Sequence, residues 1–414
     1  MMDDYCRCST TRQKLKFGEQ MRIAYFTEAL PPFIDGVTHT LTHLKKSLVE
    51  EGHDFIFLSP ILPDTDGWVG KVTEVISIPF PLYTKYRMGL PAFHDIKTTL
   101  DKFNPDLVHI VSPFFMGMAA YNYARERDIP AVNSYHTRFV SYFKYYGFGW
   151  CEWFGWFYLR RFYNKAARTF VPSTATISEL EKHGFRRLAL WQRGIDTTQF
   201  SPMYADRELH HKWSPDGSPV ALFVGRLVRE KDIETLIRAY GILKERGIDF
   251  KMVFVGDGPL KYELAGNLPD AVLAGFLKGE ALSRAYASAD IFVFPSTTES
   301  FGNVVLEAQA SGLPCVVAAE GGVMDLVEDS GTGYLTRPKD AMDLAAKMEL
   351  LLTNELMRNS FSLRAQEFAS LKSWTEVNKA LFRGYEEIIV EAGASVSGGS
   401  VGQAKPQHHF IETS

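Results

Sequence analysis

The chain of 414 residues is 46% hydrophobic and 23% charged, the composition of a folded protein of two or three domains and not of a disordered one. Its 45 Lys and Arg against 49 Asp and Glu leave a net charge of −4, without the basic excess of a general nucleic-acid binder. Four scattered cysteines (Cys6, Cys8, Cys151, Cys315) make neither a disulfide framework nor a zinc site, no run of 18 apolar residues is present, and the polar N-terminus is no secretory signal, so a cytoplasmic location is expected.

Residues 1–20 are polar and are expected to form a mobile extension. Residues 22–27 form a short apolar run, as a buried parallel strand does. After the turn-rich loop Leu30 to Gly36, residues 37–51 carry Val37, Leu41, Leu44 and Leu48 at helical spacing and stop at Gly52. A strand at 55–59 completes the opening unit of a doubly wound sheet. Strands at 107–111, 131–135 and 169–171 and a helix at 116–127 continue the alternation. The pattern restarts about 200 residues on, with a strand at 220–224, a helix at 233–246 closed by Gly247, and a strand at 250–255. Strands at 271–274, 291–294 and 315–318 follow, with helices at 279–287 and 304–311 between them. Two α/β domains meeting near residues 194–202 are expected, with ligands held in a cleft at the carboxyl ends of their strands.

The densest chemistry lies in the second half. The strand at 220–224 delivers Gly225-Arg226-Leu227-Val228-Arg229-Glu230-Lys231-Asp232 just before a helix. Arginine forks and a lysine point charge there are equipment for clamping a diphosphate, although such a run also reads as a solvated basic turn. The segment from Pro295 to Glu307 opens another helix, whose first N–H groups, from Phe301 to Val304, would face an anion or sugar hydroxyls. Glu299 falls in the loop and Glu307 within the helix among apolar neighbours, where a carboxylate without a partner is costly. Helical spacing would part the two by ~12 Å, wider than the ~5–9.5 Å of a glycosidase pair, which disfavours hydrolysis by two carboxylates. Val255-Gly256-Asp257-Gly258-Pro259 breaks the dinucleotide fingerprint, since Lys261 stands where a third glycine belongs, and reads as a turn. Gly321-Gly322 either lets the backbone approach a ligand or simply turns the chain.

In the first half, Asp35-Gly36-Val37 opens a helix whose N-terminus suits an anion. His136 ends a strand at the edge where such sheets bind ligands, although a lone histidine is more often structural. Asp64-Thr65-Asp66, in a Pro/Gly loop away from the phosphate cluster, is not expected to hold a metal. Residues 139–163 hold fourteen aromatics among 25, and 138–168 hold six basic residues against one acid. Tyr142, Tyr145, Trp150, Trp153, Trp156, Arg160 and Arg161 are the candidates for an acceptor or membrane surface, because Trp and Tyr favour the bilayer interface and basic residues an anionic leaflet. The alternative is a buried helix plugging the first domain.

In chain order, DGVTHTL, SYHTRF, FVPS, RGIDTTQFSP, GRLVREKD, VGDGP, ESFGNVVLEAQASGLP and EGG resemble the retaining glycosyltransferases of glycosyltransferase family 4, whose fold is GT-B. The aromatic segment with LWQRGIDTTQF is most similar to the mannosyltransferase-like and sulfoquinovosyltransferase-like branch. The resemblance implies an α/β protein of two Rossmann-like doubly wound domains facing a central cleft. An acceptor-binding domain would span 21–195 and a nucleotide-sugar-binding domain 196–372. A crossover helix at 373–392 would return to the first domain; apart from the resemblance, the Ser/Gly-rich composition after Gly393 points to a disordered tail over 393–414.

The resemblance also implies roles. Arg226 and Lys231 would hold the donor diphosphate, and Val304 N–H would meet the phosphate. Glu307 would take the ribose hydroxyls. Glu299, with the backbone of Phe301, Gly302 and Asn303, would hold the donor sugar, and Phe276 and Leu277 would flank the base. Gly36 and Val37 would approach the donor from the first domain, with Asp35 standing where a first glycine is usual, and His136 would contact the transferred sugar. The reaction expected is retaining, metal-independent transfer from a UDP- or GDP-sugar, a substrate and not a cofactor, to a lipid such as diacylglycerol or a glycolipid. The enzyme would sit peripherally on the inner, anionic face of a membrane. Alternatives are a soluble acceptor (an oligosaccharide or sugar phosphate), a nucleotide-sugar epimerase, an NAD-linked oxidoreductase, or a nonenzymatic nucleotide-binding module. ESFGNVVLEA speaks against the epimerase, and the broken glycine pattern against the oxidoreductase.

Overall fold

The computed structural model describes residues 18–33, 36–63, 67–80, 83–90, 93–136 and 152–397. In the first half the strands are β1 (Arg22–Phe26), β2 (Asp54–Ser59), β3 (Val72–Glu74), β4 (Ser77–Phe80), β5 (Tyr83–Gly89), β6 (Leu107–Ile110), β7 (Ala131–Ser134), β8 (Arg168–Val171) and β9 (Leu188–Leu190). Seven of them form a parallel sheet in the order β3-β2-β1-β6-β7-β8-β9, while β4 and β5 make a separate antiparallel hairpin. Strand β1 reads as one apolar run because both of its faces are covered. Ala24 and Phe26 pack with Leu100, Met116 and Phe162, whereas Ile23 and Tyr25 pack with Leu41, Leu44 and Leu48 on the opposite face.

The second half repeats the plan with β10 (Val220–Val224), β11 (Lys251–Val255), β12 (Val272–Gly275), β13 (Ile291–Phe294), β14 (Cys315–Ala318) and β15 (Gly333–Thr336). All are parallel, in the order β12-β11-β10-β13-β14-β15. In each sheet the chain winds outward from a central strand and then returns to that strand's other side. The order therefore reverses between β1 and β6 and again between β10 and β13. Loops leaving neighbouring strands at such a switch point diverge and open a crevice.

The helix Trp374–Ser397 comes from the second half and packs on the first. Leu381, Phe382, Tyr385 and Ile388 are buried in the first sheet's core. Asn378 accepts from Trp191 Nε1 at 3.2 Å and donates to Ser47 Oγ at 3.0 Å. This helix continues through Gly393 to Ser397, past the boundary expected at 392. One interior glycine costs only ~1 kcal/mol and does not stop a helix. The carboxyl ends of the two sheets face each other. Thr174, following β8, donates its backbone N–H to Asp325 Oδ2 at 2.6 Å, and Asp325 follows β14.

Candidate active site

The second domain's switch point assembles the predicted cluster. The chain leaves β10 into a short 3-10 turn, Arg229–Lys231, and Asp232 takes a left-handed conformation (φ 52°) to enter the helix Ile233–Glu245. The loop after neighbouring β13 lies alongside and is tied to this turn in three places. Lys231 Nζ pairs with Glu299 Oε1. Asp232 Oδ2 accepts from Thr297 N at 3.2 Å and Thr297 Oγ1 at 2.6 Å. Thr298 Oγ1 donates to the Glu230 carbonyl at 3.1 Å. Lys231 is only 13% exposed, so it is not part of a solvated turn. Arg226 is 70% exposed and pairs with Glu230 on its own segment.

Glycines set how closely these loops pack. A Cβ on Gly256 would lie 1.9 Å from the Gly225 carbonyl, so the VGDGP segment is a turn seated on the backbone of the loop after β10. Cβ atoms on Gly321 and Gly322 would lie 2.5 and 2.2 Å from the carbonyl oxygens of Glu299 and Ser300. Gly322 N also donates to Glu299 O at 2.8 Å. The pair is therefore a backbone rest for the Glu299 loop. Gly302 (φ 101°) caps the helix Asn303–Ala310, whose N-terminus has no side-chain cap, and Asn303 and Val304 stay half-exposed there while Phe301 is buried.

Glu307 has the partner its surroundings require, because Tyr286 OH donates to its Oε2 at 2.9 Å. Burial pushes its carboxyl up to about 7, opposed by the Tyr286 hydrogen bond. Beyond β12, Phe276 is 74% exposed and Leu277 rests half-buried against the second core. The roles of Asp232 and Tyr286 were not read from sequence. A polar residue just before a helix was the signal for Asp232, and nothing marked Tyr286.

On the first domain, the helix Gly36–Glu50 begins at Gly36, and Val37 packs on the core beneath it. A Cβ on Gly36 would lie 2.5 Å from Arg193 Nη1. His136 follows β7 with its ring 5.3 Å from Trp191, and its Nε2 is buried without a hydrogen-bond partner among the described residues. Burial, helped by the charge of Arg193, pushes its pKa down to about 3, so the imidazole is neutral.

The helix Glu152–Tyr163 is two-faced, neither wholly buried nor wholly exposed. Gly155, Leu159, Phe162 and Tyr163 are buried, while Trp153, Phe154 and Phe157 are exposed beside exposed Arg160 and Arg161. Trp156 does not belong to the exposed face. It stacks on His183 with ring centroids 3.7 Å apart. Tyr142, Tyr145 and Trp150, and the Asp64-Thr65-Asp66 motif, lie outside the described residues. Among the described residues no group of three or more His, Cys, Asp or Glu is placed to hold a metal ion, and no helix is long and apolar enough to cross a membrane.

The family model described as Glycosyltransferase Family 4 matches residues 34–199, and that described as Glycosyl transferases group 1 matches 206–368. A GDP-mannose-dependent alpha-mannosyltransferase of Mycolicibacterium smegmatis is 33% identical over 89% of this chain and 98% of its own length. A sulfoquinovosyl transferase of Arabidopsis thaliana is 33% identical over 85% of this chain and 71% of that protein. Among solved structures, sucrose-phosphate synthase from Thermosynechococcus elongatus has a TM-score of 0.71 at 20% identity, covering 90% of this chain and 100% of that one, a likeness of fold alone. These matches span both domains and set aside the epimerase and oxidoreductase readings. The chain belongs to glycosyltransferase family 4 and is a glycosyltransferase of the GT-B fold.

Proposed function

We propose that this glycosyltransferase moves a hexosyl group from a UDP- or GDP-sugar to a hydroxyl of a membrane lipid, such as diacylglycerol or a glycolipid. Transfer retains the anomeric configuration, needs no metal, and takes place with the enzyme docked on the inner, anionic face of a membrane. In this reading Lys231, Arg226 and the N–H groups of Asn303 and Val304 stabilise the charge that grows on the departing diphosphate. Arg226 exchanges Glu230 for the phosphate. The bond between the anomeric carbon and the phosphate oxygen breaks as the acceptor oxygen bonds on the same face, and the hydroxyl proton passes to the departing phosphate. Glu299, oriented by Lys231, accepts from the sugar hydroxyls, and Glu307 from the ribose. His136 is neutral and offers a hydrogen bond, not a charge.

The observation that carries the lipid acceptor is the outer face of Glu152–Tyr163. Trp153, Phe154 and Phe157 are 70%, 54% and 47% exposed, and Arg160 and Arg161 flank them. Large aromatics turned to solvent beside arginines suit a bilayer interface, not a core. Two measurements test the proposal. UDP-, GDP- and ADP-sugars are screened by thermal shift, where a ligand at 100 times its dissociation constant stabilises by ~2.7 kcal/mol. Flotation with anionic vesicles at low salt then reports docking. Protein that stays in the soluble fraction, with lipids that accept no sugar, hands the assignment to a soluble acceptor.

A further inference from the structure

The segment between β9 and the domain junction is held along its length. Trp191 Nε1 is tied to Asn378. Gln192 Oε1 accepts from Lys372 Nζ at 2.8 Å. Gly194 has no room for a Cβ, which would lie 2.5 Å from Trp374 Cα. Ile195 N donates to Lys372 O at 3.0 Å. This rigid stretch delivers the Arg193 guanidinium to the first turn of Gly36–Glu50, so close that Gly36 can carry no side chain without displacing it. Arg193 also lies near enough to His39 and His136 for its charge to disfavour their protonation. A guanidinium, the positive end of a helix and the buried, neutral Nε2 of His136 thus converge at the carboxyl edge of the first sheet, which faces the second domain.

We propose that Arg193 is a substrate-binding residue that, with the N-terminus of Gly36–Glu50 and His136, forms an oxyanion subsite on the first domain for a phosphate-class group. A planar fork next to outward N–H groups suits such an oxyanion. The oxyanion is either the donor diphosphate, clamped from the side facing Lys231, or a phosphate on the acceptor. The inference rests on the donor site proposed above.

The test measures binding of UDP and GDP, of uridine and guanosine, and of glycerol 3-phosphate, to the wild type and to Arg193→Met, Arg193→Lys and Gly36→Ala. Melting temperatures without ligand show that each variant folds. In the donor case Arg193→Met weakens nucleoside diphosphates by about tenfold or more, leaves the nucleosides unchanged, and is partly rescued by Arg193→Lys. Gly36→Ala, by pushing the guanidinium aside, gives a smaller loss of the same kind that vanishes in the Arg193→Met background. In the acceptor case glycerol 3-phosphate weakens and the nucleoside diphosphates do not. Wild type that binds a nucleoside diphosphate, with no anionic probe weakened in a folded Arg193→Met variant, overturns the subsite. Wild type that binds no nucleoside diphosphate overturns the donor site itself, and the subsite with it.

Discussion

The two domains share a sheet plan but build their facing edges differently. In the second domain two loops at the switch point are cross-tied by Lys231–Glu299, Asp232–Thr297 and Thr298–Glu230, and seated on glycines that leave no slack. In the first domain the facing edge brings Gly36, Arg193 and His136 close together, and the chain turns aromatic side chains outward on Glu152–Tyr163. A site that must stabilise developing charge gains from being preorganised, because its dipoles then need no rearrangement during the reaction. A surface that meets a lipid needs contact area and charge instead, which exposed rings and arginines supply without a fixed cage.

The largest effect should come from breaking the cross-tied side. Lys231→Ala and Glu299→Ala each should lower transfer by ~10²–10³-fold in steady-state assays. The melting temperature should fall by several degrees while each variant still folds, since removing one partner leaves the other mostly buried charge unpaired. Near-normal turnover in a folded Lys231→Ala variant would remove the diphosphate role. Breaking the other side should leave the chemistry alone. Trp153→Ser and Phe157→Ser each should weaken vesicle binding by about tenfold or more while thermal shifts with the donor persist, and unchanged flotation would refute the docking face.

A finer comparison uses pH. Glu307 holds its proton more tightly folded than unfolded, so its contribution to apo stability is present below the ordinary carboxylate range and is lost as pH rises to about 7. Ribose hydroxyls favour the carboxylate. Binding of UDP or GDP should therefore strengthen as pH rises toward 7, by up to about tenfold per pH unit, and Glu307→Gln should flatten that slope in calorimetry. The smallest effect expected is none at all. Transfer should survive EDTA, and complete loss restored by Mg²⁺ or Mn²⁺ would refute metal independence.

Much of this was legible in the chain. Short apolar runs such as IAYF and VALFV, bounded by turn signals, read as strands covered on both faces, and the two βαβ openings followed from them. GRLVREKD and ESFGNVVLEA announced polar, glycine-containing loops at strand ends. The edge strands β3 and β9 were not read, because three residues carry too few positions for a period to show, and the hairpin of β4 and β5 and the edge strand β15 were not read either. Trp156 was misplaced for a related reason. Nothing in a run of aromatics says which one finds His183 to stack on.

What the sequence determines by itself is local. Hydrophobic period sets strand or helix, glycine allows or stops a backbone path, and residue type fixes which chemistry a loop can perform. Which loops meet was decided only by the tertiary structure. Lys231 and Glu299 are 68 residues apart and become partners because β10 and β13 are neighbours in the sheet. Arg193 reaches Gly36, Tyr286 reaches Glu307, and Trp374–Ser397 returns to the first core through packing between elements far apart in the chain. Burial then sets the charge states of Glu307 and His136, since the cost of a charge depends on what surrounds it in space and not on its neighbours along the chain.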